Sequence, residues 1–74
     1  MRPEKRLERR QHIVRSAREI FLRYGYRKTA LEDVAQAAAV GKATLYHYFE
    51  GKDDLFGAVV AEMYEEYLAR QRAA

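Results

Sequence analysis

The sequence contains no cysteine, no tryptophan and only one proline. The absence of cysteine excludes a disulfide framework and a thiolate metal site, and only His12 and His47 offer imidazole ligands. No metal or cofactor is therefore expected. Long apolar stretches are also missing, because no uninterrupted run exceeds the four residues of 58–61, whereas a membrane-spanning helix needs roughly 20. The Arg-rich N-terminus lacks the apolar segment of a signal peptide, so we expect an intracellular protein without a membrane anchor.

Arrangements typical of catalysis are missing as well. The adjacent Asp53 and Asp54 would project about 100° apart on a helix, so they cannot face each other as a general acid and base. His12 lies in a basic segment with no evident acid or nucleophile beside it. The 74 residues correspond to one small domain, and we predict that it is not an enzyme.

Positive charge is concentrated toward the N-terminus. Residues 1–28 carry ten Lys and Arg against three Glu, a balance of +7, and the remaining residues carry four basic against eight acidic side chains, a balance of −4. This asymmetry favours a protein that turns one side toward a polyanion. The alternative is a solvated helix with many salt bridges, and charge alone leaves both interpretations open.

Hydrophobic periodicity and capping signals predict four helices and no strands, an all-α fold built as a small helical bundle. Helix 1 is predicted over about 3–24, with Gly25 as its stop, and helix 2 over about 30–38, starting at a capping box of Thr29 and Glu32. Helix 3 is predicted over about 42–49, with Gly41 as its N-cap. The predicted apolar face of helix 1 consists of Ile13, Ala17, Ile20, Phe21 and Tyr24.

Helix 4 is predicted over 52–74, and no stop signal precedes the end of the sequence. Its apolar residues cover a wider arc than three short helices can bury. Either this helix packs against further parts of a longer protein, or its end is frayed. We therefore expect two segments: a helix-turn-helix domain over 1–51, and a connecting helix over 52–74 that leads to a C-terminal domain absent from this sequence.

Two short helices joined by a tight turn and braced by a longer helix form the arrangement that places the second short helix in the major groove of DNA. Such a turn needs small side chains where the helices touch, and Ala35 and the run 37–39 supply them. Alanine is also simply a good helix former, so this pattern by itself is only moderately specific.

Four segments together resemble the family of the bacterial tetracycline repressor (TetR). They are Phe21 to Tyr26; Thr29 to Leu31 with Val34 and Ala35; Ala38 to Phe49; and Gly51 to Leu55. The run Thr-Leu-Tyr-His-Tyr-Phe at 44–49, followed three residues later by Lys52, is the most specific part. The resemblance covers about 13–60 without a gap and implies a DNA-binding regulator.

The sequence departs from the family pattern at four positions. Ala39 replaces the usual glycine of the turn, Gly41 and Gly51 replace serines, and Ala30 replaces a second hydroxyl residue. An alanine where the backbone favours positive φ carries strain. The lost serines remove hydroxyls that relatives often use on phosphates, which affects contact details rather than the fold.

The resemblance implies that the exposed side of helix 3 faces the groove. Within it, Lys42 suits guanine O6 and N7 or a phosphate, and the Ala43 methyl and the Tyr46 ring suit thymine methyls. His47 completes the predicted base contacts, with a solvent-exposed bystander as its alternative role.

Four other polar residues suit phosphates, which position a protein on the duplex without reading its sequence. They are Thr29, Thr44, Tyr48 and Lys52. Two alternatives stay open, because Tyr48 would also fit the core and Thr29 would also serve as a cap only.

The resemblance implies a sequence-specific transcriptional repressor with a palindromic double-stranded DNA operator as its partner, located in the cytoplasm at the nucleoid. A homodimer and a small-molecule effector site would belong to the C-terminal domain that this sequence lacks. The alternative is a helical protein-interaction module that uses Tyr64 and Tyr67 on helix 4.

Overall fold

Four α-helices account for most of the structure, a computed structural model that describes residues 3–73, with side chains from Lys5 onward. They are α1 (Pro3–Tyr24), α2 (Leu31–Ala38), α3 (Lys42–Tyr48) and α4 (Lys52–Ala73). Within residues 3–73 there is no β-strand, and the predicted all-α fold class is confirmed. No helix of this described part is long and apolar enough to cross a membrane.

Helix α1 braces the structure, since both α2 and α4 pack against it. Its buried stripe is Ile13, Ala17 and Phe21, one residue per turn, widened by Val14. The inclusion of Tyr24 in this stripe was wrong, because Tyr24 is 54% exposed. The chain turns away at Gly25, and the ring of Tyr26 lies against Phe21 instead, with 5.7 Å between the ring centroids.

The core is continuous across all four helices. Helix α2 contributes an i, i+3, i+4, i+7 face, α3 and its C-cap contribute one apolar residue each, and α4 adds two that are four positions apart. The buried residues beyond α1 are Leu31, Val34, Ala35, Ala38, Leu45, Phe49, Leu55 and Val59. Val40, just after the α2–α3 turn, packs against this cluster.

The start of α2 differs from the predicted capping box. Ala30 is the N-cap, and Asp33, rather than Glu32, accepts the Ala30 N–H at 3.0 Å. Thr29 precedes the cap, and its hydroxyl donates to the Gly25 carbonyl at 2.8 Å. Helix α2 begins one residue later than the Thr-x-x-Glu pattern implies, because the carboxylate that accepts from the N-cap N–H is that of Asp33, one position beyond Glu32.

The turn between α2 and α3 is a Schellman motif in which Val40 N–H donates to Ala35 O at 3.0 Å and Ala39 N–H donates to Gln36 O at 3.1 Å. It requires a left-handed residue, and Ala39 adopts φ 57°, ψ 40°. The strain expected at this alanine is therefore present in the backbone.

Helix α4 is buried only along its first half. Leu55 and Val59 lie in the core, whereas Val60, Met63, Tyr64 and Tyr67 are exposed. An ion pair holds the second half to α1, since Arg18 contacts Glu62 at 3.3 Å and also contacts Glu66. Arg18 thus has an anionic partner within the chain.

Replacing Ala39 with glycine should stabilise the fold. The left-handed conformation costs an L-residue roughly 1–2 kcal/mol, a cost that glycine avoids. Because glycine also loses more chain entropy on folding, we expect the free energy of unfolding to rise by only about 0.5–1 kcal/mol. The Tm of a domain this size should rise by about 2–8 °C in thermal unfolding followed by circular dichroism.

The matched control is Ala37→Gly, an exposed position inside α2. Glycine in a helix interior should cost about 1 kcal/mol relative to alanine, so the Tm should fall. A lower Tm in both variants would contradict the assignment of strain to Ala39.

Candidate nucleic-acid interface

Helix α3 separates an inner from an outer side. Leu45 is fully buried, and Phe49, the C-cap of α3, lies beneath the helix at 1% exposure. The opposite side is exposed and consists of Lys42, Ala43, Tyr46 and His47. These four residues form two adjacent i, i+4 pairs, so they make one continuous surface, which we call the outer face of α3.

Lys42 is bound from across the turn. Its ammonium Nζ lies 2.7 Å from Glu32 Oε1 on the first turn of α2, and 5.9 Å from the centroid of the Tyr46 ring. The hydrogen bond with Glu32 raises the pKa of Lys42, and the same contact lowers the pKa of Glu32. Both groups are therefore charged at neutral pH, and both remain accessible to solvent.

Two of the predicted phosphate contacts lie on α3 itself. Thr44 and Tyr48 are half-buried, and Tyr48 also packs against the core, so one side of its ring serves the fold. The His47 ring is exposed and meets the Tyr48 ring edge-on, with 5.7 Å between the centroids.

Lys52, at the start of α4, lies over the ring of a single tyrosine. Its Nζ lies 4.2 Å from the centroid of the Tyr26 ring, within cation–π range. The Tyr26 hydroxyl donates to Asp53, and the Glu50 N–H donates to Asp54 Oδ2 at 3.0 Å. The two adjacent carboxylates therefore make separate contacts, one with the α1–α2 loop and one with the backbone just before α4.

Thr29 differs from the other predicted site residues in its burial. It is only 2% exposed, and its hydroxyl is engaged with the Gly25 carbonyl. Its observed contacts are those of a residue that closes the loop between α1 and α2. Its predicted phosphate contact has no support in this geometry.

Two residues near the interface were not among the predicted site residues. Arg9 lines a surface hollow together with Thr44 and Gly41, and His12 Nε2 lies 2.8 Å from the Ala38 carbonyl at the end of α2. Both come from α1, whose charge pattern indicated a basic side but not which arginine would lie near α3. That placement depends on how the helices pack.

The geometry defines a helix-turn-helix protein. Helices α2 and α3 contain eight and seven residues, three residues separate them, and α2 packs on both α1 and α3. The outer face of α3 is free of core contacts, which is the arrangement of a recognition helix.

Comparisons with known proteins agree with this class. The family model for "Bacterial regulatory proteins, tetR family" matches residues 13–59. The chain is similar to the HTH-type transcriptional repressor DhaR of Mycobacterium sp. (37% identity over 57 residues, 77% of this chain and 29% of DhaR). It is also similar to the HTH-type transcriptional regulator UidR of Escherichia coli K12 (35% over 63 residues, 85% and 32%).

The chain therefore belongs to the tetR family of bacterial regulatory proteins. A solved structure described as a TetR/AcrR family transcriptional regulator superimposes with a TM-score of 0.84 at 29% identity, covering 89% of this chain and 36% of that one. The chain thus spans about a third of the length of its relatives. Its family consists of transcriptional regulators, which confirms that it is not an enzyme.

Truncation of two neighbouring residues of α3 should change the stability of the fold to very different extents. Leu45→Ala removes a fully buried side chain and should cost about 2–5 kcal/mol of stability. Tyr46 is 45% exposed, so Tyr46→Ala should stay within about 0.5 kcal/mol of the parent. Urea denaturation measures both, and an unfolded Tyr46→Ala variant would contradict the outer-face assignment.

Proposed function

We propose that this chain is the DNA-binding part of a sequence-specific transcriptional repressor, with α3 lying in the major groove of its operator. The outer face of α3 is the observation that carries the proposal. It presents a cation, a methyl group, a phenol and an imidazole side by side, without any role in the core. These are groups suited to guanine edges, thymine methyls and base acceptors.

The dimensions of α3 fit this role. Seven residues at 1.5 Å each give a helix about 10 Å long, which corresponds to roughly three base pairs. A helix with its side chains is about 10–12 Å wide, and the major groove is about 12 Å wide. In this proposal Lys42, Ala43, Tyr46 and His47 contact bases.

Thr44, Tyr48 and Lys52 are proposed to contact phosphates. Each is partly fixed by the fold, which suits contacts that set the register of a helix on the duplex. Arg9, beside Thr44, is a further candidate from α1. Thr29 is proposed to support the site by fixing the loop before α2, because its hydroxyl is already engaged.

The wider partners follow from the same proposal. Helix-turn-helix proteins commonly bind pseudo-palindromic sites as dimers, since one recognition helix reads only a half-site. A palindromic operator, a homodimer and a small-molecule effector are proposed for the full-length protein, with the last two assigned to a domain outside these four helices. A DNA partner would place the protein at the nucleoid in the bacterial cytoplasm.

A protein-interaction module is the second candidate. The rings of Tyr64 and Tyr67 stack at 6.5 Å on the exposed side of α4, near Val60 and Met63. This surface is apolar, whereas the proposed DNA contacts include the cations Lys52 and Arg9. The two candidates therefore differ in their response to salt.

Duplex binding should be sequence-dependent and should weaken steeply with salt. If about three phosphates are neutralised, affinity should fall roughly 40-fold between 50 and 200 mM salt. We would select an operator with this chain from a randomised duplex library and then titrate it by fluorescence anisotropy. A flat salt response without sequence enrichment would contradict DNA recognition and favour the protein-interaction candidate.

Two substitutions should distinguish phosphate from base contacts. Lys52→Ala should weaken operator and random duplexes equally and reduce the salt slope by about one unit. Tyr46→Ala should cost roughly 1–3 kcal/mol on the operator, concentrated at one base position, with little effect on random duplexes.

Arg70→Ala is the control for loss of one positive charge. Arg70 lies 18 residues beyond Lys52 on the same helix, about 27 Å away. Its substitution should therefore leave the affinities for operator and random duplexes unchanged. A shifted base preference in Lys52→Ala would show that Lys52 reads sequence rather than backbone.

A further inference from the structure

Glu32 does not make the capping contact that the sequence predicts. The predicted box pairs Glu32 with the N–H of Thr29, whereas the N-cap of α2 is Ala30 and its N–H donates to Asp33. The Glu32 carboxylate reaches across the turn to Lys42 instead, with an Oε1 to Nζ distance of 2.7 Å. An acidic side chain therefore lies against the surface that would face the DNA.

The pairing changes the charge of the outer face. Lys42 is the only lysine or arginine of that face, whose other members are alanine, tyrosine and histidine. Glu32 cancels this charge. A phosphate backbone that approaches α3 in a random register meets a neutral ion pair rather than a free ammonium.

Cognate and random DNA use Lys42 differently. Binding to random DNA depends on cations that neutralise phosphates and release counterions, and a lysine already paired with a carboxylate contributes little to it. At a cognate site the ammonium has three N–H donors, so it can keep Glu32 and donate to a guanine edge. The carboxylate also fixes the direction of a long, flexible side chain.

We propose that Glu32 is a specificity-determining residue, which holds Lys42 for base contact and weakens binding to random DNA more than binding to the operator. The inference rests on the proposed DNA-binding function. In this proposal a residue of α2 helps the protein to distinguish its operator from random DNA. Specificity is then obtained partly by weakening the binding of the wrong sequences.

The test is Glu32→Gln, which keeps the size of the side chain and removes its charge. On a random-sequence duplex of about 30 base pairs, affinity should rise about two- to fivefold, the range of an exposed ion pair. The slope of log K against log salt should steepen by about 0.9, the contribution of one additional neutralised phosphate. Operator affinity should change less, so the ratio of operator to random affinity should fall.

Two controls isolate the ion pair. Glu65→Gln makes the same charge change at an exposed site on α4, 13 residues or about 20 Å beyond Lys52, and should change neither slope nor ratio. In a Lys42→Met background, Glu32→Gln should no longer steepen the slope. If Glu32→Gln steepened the salt slope equally in the Lys42→Met background, Glu32 would act by repelling phosphates directly, and the proposal would be overturned.

The outcomes separate the two proposals. A parent chain that binds neither duplex in a salt-dependent way would overturn the proposed function itself. A parent chain that binds both, with an unchanged affinity ratio in Glu32→Gln, would overturn only the role of Glu32. A ratio that falls in Glu32→Gln but not in Glu65→Gln is the result that supports it.

Discussion

The contact between the buried stripe of α1 and the apolar face of α2 is the constraint on which the structure depends. Helices of eight and seven residues are too short to persist in water by themselves, because nucleation of a helix is costly and few hydrogen bonds follow it. Ile13, Ala17 and Phe21 supply the surface on which α2 and, through it, α3 are ordered. The small side chains of Ala35 and Ala38 let the helices approach closely.

Much of this architecture could be predicted, because it depends on local signals. Spacing of apolar residues identified four helices, and Gly25, with φ 86°, marked the end of α1. The assignment of Tyr24 to the core failed for a tertiary reason, since Tyr26 occupies that side of Phe21 from the following loop. The cap of α2 failed because two acidic residues stand next to each other, and the pattern alone does not say which one reaches back.

The exposed side of α3 could be predicted from the sequence, but the contacts that its residues make could not. The family motif and helix geometry gave an exposed side for α3, yet the contacts of Lys42 with Glu32 and of Lys52 with Tyr26 join residues ten and 26 positions apart. Sequence periodicity carries no information on such pairs. The basic N-terminal segment had the same ambiguity: Arg18 is paired with Glu62 and Glu66, whereas Arg9 lies beside Thr44.

The two sides of α3 are under different constraints, which affects how the sequence of such a protein can change. Leu45 and Phe49 hold the helix in place, while the side chains that point away from them make no contribution to the core. Mutations on that outer side are therefore nearly free of folding constraints. Many combinations of outward residues are therefore compatible with the same scaffold, so the chemistry that this side presents can change without a loss of folded protein.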